Sequence, residues 1–414
     1  MRNLKVDGDR LWQSLMDMAR IGATAKGGSC RLAASDEDRM GRDAFVAWCK
    51  AAGLAVTVDG IGNIFARRKG RNESAPPVIT GSHLDTQPTG GRFDGVYGVL
   101  AGLEVVRTLN DAGIETEAPI EVVVWTNEEG ARFAPAMVAS GAFAGVFDVD
   151  EALKAKDANG KSLGEELARI GYRGEAKVGG RPIGAAFEAH IEQGPILEAE
   201  GRTIGVVTGV QGIRWYDVRV DGMEAHAGPT PMSMRKDAMV AAARLIAAAD
   251  ASAKAHAPHG RATCKVVEVR PQGSRNTIAG HVYLTVDMRH PVAAELDAMD
   301  ADLRAAARGA EAELGVQVAI DAIWTSPPVA FDAACVDAVR QGARACGYSA
   351  KEMVSGAGHD SCYVARVAPT AMIFVPCEKG ISHNEIENAK PEDLAAGCNV
   401  LLHAVLARAN ATAG

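Results

Sequence analysis

The run Ile120-Glu121-Val122-Val123-Val124-Trp125 restricts the fold more than any other stretch. So dense a β-branched segment reads as a strand buried on both faces, inside a sheet that helices cover. It passes directly into Thr126-Asn127-Glu128-Glu129-Gly130. A second apolar run, Val78-Ile79-Thr80, ends in Gly81-Ser82-His83-Leu84-Asp85-Thr86 and, further on, Gly91-Arg92-Phe93-Asp94-Gly95, ahead of a helical pattern over residues 96–112. A third, residues 185–190, ends in His190-Ile191-Glu192-Gln193-Gly194-Pro195. A fourth, residues 372–375, leads to Gly380-Ile381-Ser382-His383-Asn384-Glu385. Strands alternating with long helices make an α/β sheet, and such sheets bind ligands at the carboxyl ends of their strands. Four strand ends bearing His, Asp or Glu are therefore expected on one edge.

Around this frame, residues 9–20 and 39–52 read as helices, the second opened by Ser35-Asp36-Glu37-Asp38. Residues 54–58 and 63–67 read as strands around the turn Asp59-Gly60-Ile61-Gly62, and residues 391–410 as a closing amphipathic helix. From Gly212 the pattern changes. Residues 215–220, 263–270, 280–289 and 316–324 alternate apolar with polar, and residues 232–256 and 294–314 read as Ala-rich helices. That is β-α-β-β-α-β, the order of a ferredoxin-like unit, with one sheet face left for solvent or a partner. Pro327-Pro328 closes it. The expected organisation is a core domain in two parts, residues 1–211 and 327–414, with residues 212–326 inserted.

Composition narrows the function. A net charge of −8, with no basic run beyond Arg67-Arg68-Lys69, argues against nucleic acid. That triplet reads as a solvated strand end. None of the eight cysteines forms a C-x-x-C pair, so a thiolate zinc site is not expected, and free thiols in a reducing compartment are. No apolar run approaches the ~20 residues of a membrane span, and the N-terminus shows no apolar leader. Cytoplasmic residence is the resulting expectation.

His83, Asp94, Glu128, Glu129, His190 and His383 are the residues gathered at the strand ends. Imidazole with carboxylate suits zinc and its first-row neighbours. Two metals about 3.5–4 Å apart, bridged by one carboxylate, would use His, Asp, Glu, His and His. The spare glutamate could take a proton from water. Any one of these residues alone reads more simply as structural; the coincidence of four strand ends carries the argument. His83 and Asp85 lie two apart, the spacing that lets a carboxylate hold the second ring nitrogen of a metal-binding imidazole. His359-Asp360 reads as structural or as part of a substrate loop. His256, His259, His281, His290 and His403 read as surface or helix-end residues.

The stretches above, together with Gly222-Met223-Glu224-Ala225-His226-Ala227-Gly228-Pro229-Thr230-Pro231-Met232, resemble the hydantoinase/carbamoylase family of dinuclear zinc amidohydrolases. They run in the family's order along nearly the whole chain. The resemblance implies an α/β, mixed-sheet catalytic domain like that of zinc aminopeptidases and carboxypeptidases, with the inserted ferredoxin-like domain as lid and dimerisation domain. It implies two divalent ions per subunit, zinc foremost, with manganese, cobalt or nickel as alternatives. His83, Asp94 and His190 would hold one ion, and Asp94, Glu129 and His383 the other. Glu128 would be the general base and Asp85 the carboxylate behind His83. His226 would polarise the substrate carbonyl, Asn276 and Arg289 would hold a substrate carboxylate, and Gln193 would contact the ureido group. Without the resemblance Arg289 reads as a surface ion pair. The implied reaction is hydrolysis of an N-carbamoyl-L-amino acid to amino acid, carbon dioxide and ammonia, by a hydroxide bridging the metals. N-carbamoyl-β-alanine and allantoate remain as alternative substrates. A dipeptidase or aminoacylase is the rival within hydrolases, and a metal-dependent binding protein is the rival outside them. A homodimer through the inserted domain is the implied assembly.

Overall fold

A computed structural model describes residues 4–411. Residues 1–3, which belong to the N-terminal stretch read above as lacking a leader, and residues 412–414 lie outside the described residues. The chain forms two compact units. One holds the chain up to Gly209 and from Ala330 onward; the other is Val210–Val329. No helix among the described residues is long and apolar enough to cross a membrane.

The first unit is built on a mixed sheet. Its strands lie in the order Ala55–Val58, Ile64–Arg68, Ile120–Trp125, Val78–His83, Ala185–Ile191, Thr370–Val375 and Ile204–Val210, with Ala350–Ser355 also paired to Ile204–Val210. Ile120–Trp125, Val78–His83, Ala185–Ile191 and Thr370–Val375 run parallel, and all of their residues are buried. The flanking pairs are antiparallel. Helices Val96–Asp111 and Pro391–Ala409 pack on these strands and on each other. Because the four central strands share a direction, their carboxyl ends share an edge, and the loops that follow each of them meet there. Gly81 is needed for the strands to close up, since a Cβ there would lie 1.9 Å from the carbonyl oxygen of Val123.

Two strands escape the sequence pattern. Ile204–Val210 carries Gly205 and Gly209, which break up its apolar run. Ala350–Ser355 carries Lys351 and Glu352 and is half-exposed, as suits a strand at the sheet's margin. The short helix Val138–Phe143 was also not expected.

The second unit has a four-stranded antiparallel sheet in the order Gln317–Ser326, Gly212–Asp221, His281–His290, Arg261–Arg270. Taken in chain order this is fourth-first-third-second, the ferredoxin-like arrangement. Val218, Val220, Val282, Leu284, Val286 and Met288 face helices Ala238–Ala255 and Ala293–Leu314. The opposite face is open and carries Trp215 and Trp324, whose ring centroids are 4.8 Å apart. The helix expected over residues 232–256 is shorter than its Ala-rich pattern. Residues Met232–Met234 make a single 3₁₀ turn, and the α-helix starts at Ala238. Asp237 stops the pattern, because its carboxylate accepts from the amides of Met239 and Val240 and so caps the helix. His290 is buried, not at the surface, because it continues the inward-facing register of its strand.

Candidate metal and catalytic site

The strand-end residues of the first unit converge. His83, Asp94 and His190 offer ligand atoms that lie within 4.8 Å of one another, and so do Asp94, Glu129 and His383. Asp94 belongs to both groups, and its two oxygens divide between them. Oδ1 lies 3.2 Å from His190 Nε2 and 3.7 Å from His83 Nε2, and Oδ2 lies 3.3 Å from His383 Nε2. Glu129 Oε2 is 3.4 Å from the same His383 nitrogen. Glu128 is buried, and its Oε2 is 3.5 Å from His83 Nε2.

Local chain geometry explains the convergence. Gly95 has φ +69°, and a Cβ there would sit 2.3 Å from the His83 ring, so the loop carrying Asp94 could not approach His83 with any other residue. Asn127, Gln193 and His383 hold left-handed backbone at φ between 54° and 57°. Such strain in non-glycine residues gathers where a side chain must be aimed. Each buried imidazole is also fixed from behind. His83 Nδ1 bonds the carbonyl of Asp85 at 2.8 Å and His190 Nδ1 the carbonyl of Ile191 at 2.9 Å. Both rings therefore turn Nε2 toward Asp94, the arrangement of an oriented metal ligand.

Asp85 departs from expectation. Its main-chain carbonyl, not its carboxylate, holds His83. The carboxylate instead accepts from the backbone amides of Glu128 and Glu129, each at 3.2 Å. The two-residue spacing placed Asp85 correctly near His83, but the turn after the strand swings its side chain across to the neighbouring strand end.

Three further residues brace the site. Glu387 is buried; its Oε1 accepts from the amides of Phe93 and Asp94 and its Oε2 from Ser382 Oγ. It ties the Asp94 loop to the His383 loop. Glu385, the nearer acid to His383 in sequence, faces Lys26 instead. Gln87 donates to Glu129 Oε2 at 2.8 Å. Glu188 accepts from Ser82 Oγ and Ser361 Oγ, each at 2.6 Å. The alternation of Ala185–Ile191 puts Glu188 on the same face as His190, a signal present in the sequence. His359 is buried with its ring against His190, and its Nε2 lies 3.0 Å from Ser355 Oγ.

The electrostatics ask for a cation. Burial raises Glu128 well above the usual carboxylate range, and the charges of Asp360, Glu129, Asp85 and Asp94 push it the same way. Burial and Asp94 raise Glu129 to about 8. Burial and Asp94 likewise raise Glu387 to about 7. Burial opposes charge on His190, but its bond to Asp94 outweighs that and lifts it to about 9. The bond to Asp94 also lifts His383 to about 9. His83 is lowered by burial. Crowded carboxylates that repel one another, facing imidazole nitrogens locked toward them, are a donor set that fits divalent metal. Binding must displace the protons that His190, His383 and Glu129 hold near neutrality. Metal affinity should therefore rise with pH from 7 toward 9, by about tenfold per pH unit for each proton displaced. Titration calorimetry of the metal-free protein in two buffers of different ionisation enthalpy should show net proton release at pH 7; buffer-independent heats would contradict it.

The remaining expected residues sit as follows. Gln193 donates through Nε2 to Asp94 Oδ2 at 2.9 Å, and its buried Oε1 has no partner among the described residues. In the second unit, His226 is exposed on the two-residue strand Ala225–His226, opposite Thr277. Its Nδ1 accepts from the amide of Gly228 at 3.1 Å. Asn276 is exposed and precedes the strand that pairs with His226. Arg289 holds Asp287 on its own strand, Nη2 to Oδ2 at 2.8 Å.

Comparison with known proteins agrees with this geometry. The profile of peptidase family M20/M25/M40 matches residues 79–407. An N-carbamoyl-L-amino-acid amidohydrolase of Rhizobium meliloti is 52% identical over 98% of this chain and 97% of its own. One of Geobacillus stearothermophilus is 38% identical over 97% of this chain and 98% of its own. The crystal structure of an amidase of the hydantoinase/carbamoylase family from Burkholderia multivorans superposes with a TM-score of 0.95, at 61% identity over 98% of each chain. Enzymes of the M20 family use divalent metal ions, and the clusters around Asp94 supply fitting ligands. The chain thus belongs to the M20 family, among the hydantoinase/carbamoylase amidohydrolases, which hydrolyse C–N bonds of linear amides.

Proposed function

We propose that this enzyme hydrolyses N-carbamoyl-L-amino acids to the amino acid, carbon dioxide and ammonia. The observation that carries the reading is Asp94, with one oxygen toward His83 and His190, the other toward His383, and Glu128 beside them. A carboxylate so divided suits two divalent ions, zinc foremost, one held by His83, Asp94 and His190 and the other by Asp94, Glu129 and His383. When bound, such ions polarise the carbonyl and acidify water.

The chain's own residues do the rest. Glu128 takes a proton from the attacking water and delivers it to the departing nitrogen. Asp85 holds the amides of Glu128 and Glu129 and so fixes where both side chains start. Gln193 presents Oε1, which is free to accept from a ureido N–H. In the second unit, the Gly228 amide occupies His226 Nδ1, so a neutral His226 carries its hydrogen on Nε2 and can donate to a developing oxyanion. Arg289, with Asn276, is the residue for a substrate carboxylate; Asp287 engages its Nε and Nη2 and so sets the direction in which the guanidinium points. The relatives named as N-carbamoyl-L-amino-acid amidohydrolases support this substrate class.

The open sheet face with Trp215 and Trp324 supports pairing of two copies through the inserted unit. All eight cysteines are free thiols, which supports a reducing compartment such as the cytoplasm. The function is tested with the metal-loaded protein on a panel of N-carbamoyl-L-amino acids, their D enantiomers, N-carbamoyl-β-alanine, allantoate and a dipeptide. The expected result is the highest kcat/KM on an N-carbamoyl-L-α-amino acid with ammonia released. A preference for the dipeptide, with no ammonia, would overturn the reading.

A further inference from the structure

We propose that Arg235 is a positioning residue which holds His226 in the Nε2–H form. The proposal rests on the reading of His226 given above. It starts from the weakness of the loop that carries this histidine. Residues 223, 224, 226, 228, 229 and 231–234 are exposed, so little apolar packing secures it. Pro229 and Pro231 have no amide hydrogen to donate. Main-chain bonds hold its two ends: Ala225–His226 pairs with Thr277–Ile278, the Met223 amide donates to the Lys236 carbonyl at 2.8 Å, the Ala227 amide to the Asn276 carbonyl at 2.7 Å and the Met234 amide to the Pro231 carbonyl at 3.0 Å. Across the turn itself the main chain offers the Thr230 amide, which reaches the His226 carbonyl at 3.3 Å.

Arg235 supplies the missing constraint. It is half-buried, and its guanidinium donates three hydrogen bonds to main-chain carbonyls of this one loop. Nη2 donates to Ala227 at 2.6 Å and to Thr230 at 3.0 Å, and Nε donates to Thr230 at 3.1 Å. The two carbonyls lie at either end of the turn that contains Gly228. Clamping both keeps the turn closed, and only in the closed turn does the Gly228 amide point at His226 Nδ1. An imidazole that must accept at Nδ1 keeps its hydrogen on Nε2. Without the clamp the turn can open, Nδ1 can take up the hydrogen, and the donor is lost from the catalytic face. The planar guanidinium fixes the directions of its donors and keeps Nε on Thr230 as well, whereas a lysine ammonium, on a flexible stem, holds the same carbonyls less rigidly.

The test uses the full-length, metal-loaded protein and the variants Arg235→Met, Arg235→Lys, His226→Ala and the double His226→Ala/Arg235→Met. Arg235→Met should lower kcat by about 10- to 100-fold, the usual cost of misplacing a catalytic group by about 1 Å, with KM moving far less. Arg235→Lys should recover part of the loss. The double variant should be no slower than His226→Ala. Side-chain nitrogen NMR of ¹⁵N-histidine protein should show His226 as the Nε2–H form in the parent and as a mixture in Arg235→Lys and Arg235→Met. If Arg235→Met does not fold, the lysine variant and its spectrum decide. A wild-type kcat and an unchanged tautomer in the Arg235 variants, with His226→Ala impaired, would overturn the proposal, as would multiplicative losses in the double variant. A wild-type kcat in His226→Ala would instead overturn the role of His226.

Discussion

Glu128→Gln should abolish turnover while leaving metal in place. Glutamine keeps the shape of the side chain but cannot accept a proton from water. General-base loss of this kind costs on the order of 10²- to 10⁴-fold in kcat. Because the proton moves in the transition state and not on binding, kcat and kcat/KM should fall together, with KM little changed. Metal content should stay at the parental value, since Glu128 is not needed to complete either ligand group around Asp94. A second effect runs the other way. Burial and the charges of Asp360, Glu129, Asp85 and Asp94 hold the Glu128 pKa well above its ordinary value. An acid whose folded pKa is raised binds more protons folded than unfolded, so it costs stability as pH rises above its unfolded value. Removing it should therefore raise the melting temperature of the metal-free protein at pH 8 relative to the metal-free parent. Undiminished hydrolysis by Glu128→Gln would remove Glu128 from the chemistry, whatever its effect on melting.

This pair of readouts was only partly legible in the sequence. Glu128 and Glu129 were visible as a doublet at the end of a buried strand, and parallel strands force such ends onto one edge. Periodicity therefore gave the location. It did not give the aim of each side chain, because turns and not strands set that. Asp85 shows the difference: its spacing from His83 was right, yet the turn sends its carboxylate to the amides of Glu128 and Glu129. Glu387 shows another limit. Two acids follow His383, and only folding decides that Glu385 meets Lys26 at the surface while Glu387 is buried against the Asp94 loop. In the second unit the βαββαβ pattern was plain from alternation, but an Ala-rich run looked helical from residue 232 until the Asp237 cap showed where the helix begins. The part that Arg235 plays was invisible, since guanidinium bonds to main-chain carbonyls leave no periodic trace.

Asp94→Asn should have the opposite signature: activity lost because metal is lost. The asymmetry around Asp94 even predicts which ligand group fails. Gln193 Nε2 and Ser382 Oγ both donate to Oδ2, at 2.9 and 2.8 Å. An asparagine would turn its oxygen toward those donors. Its NH₂ would then take the place of Oδ1, toward His190 and His83. An amide nitrogen has no lone pair for a cation and presents hydrogens to the imidazoles. The ion proposed for His83 and His190 should therefore be the one lost, while the His383 and Glu129 group keeps an oxygen at its original place. Metal content should fall from two equivalents to one or less, with affinity for the remaining ion weakened by more than the ~10- to 100-fold typical of losing a second-shell partner. The same substitution removes the charge that holds His190 and His383 at about 9, so both should titrate lower in the metal-free variant, which histidine NMR would read directly. Hydrolysis should drop below detection, and excess metal should not restore it. Two tightly bound equivalents in Asp94→Asn would show that the carboxylate is not shared, and the proposed pair of ions would then have to be rebuilt on other residues.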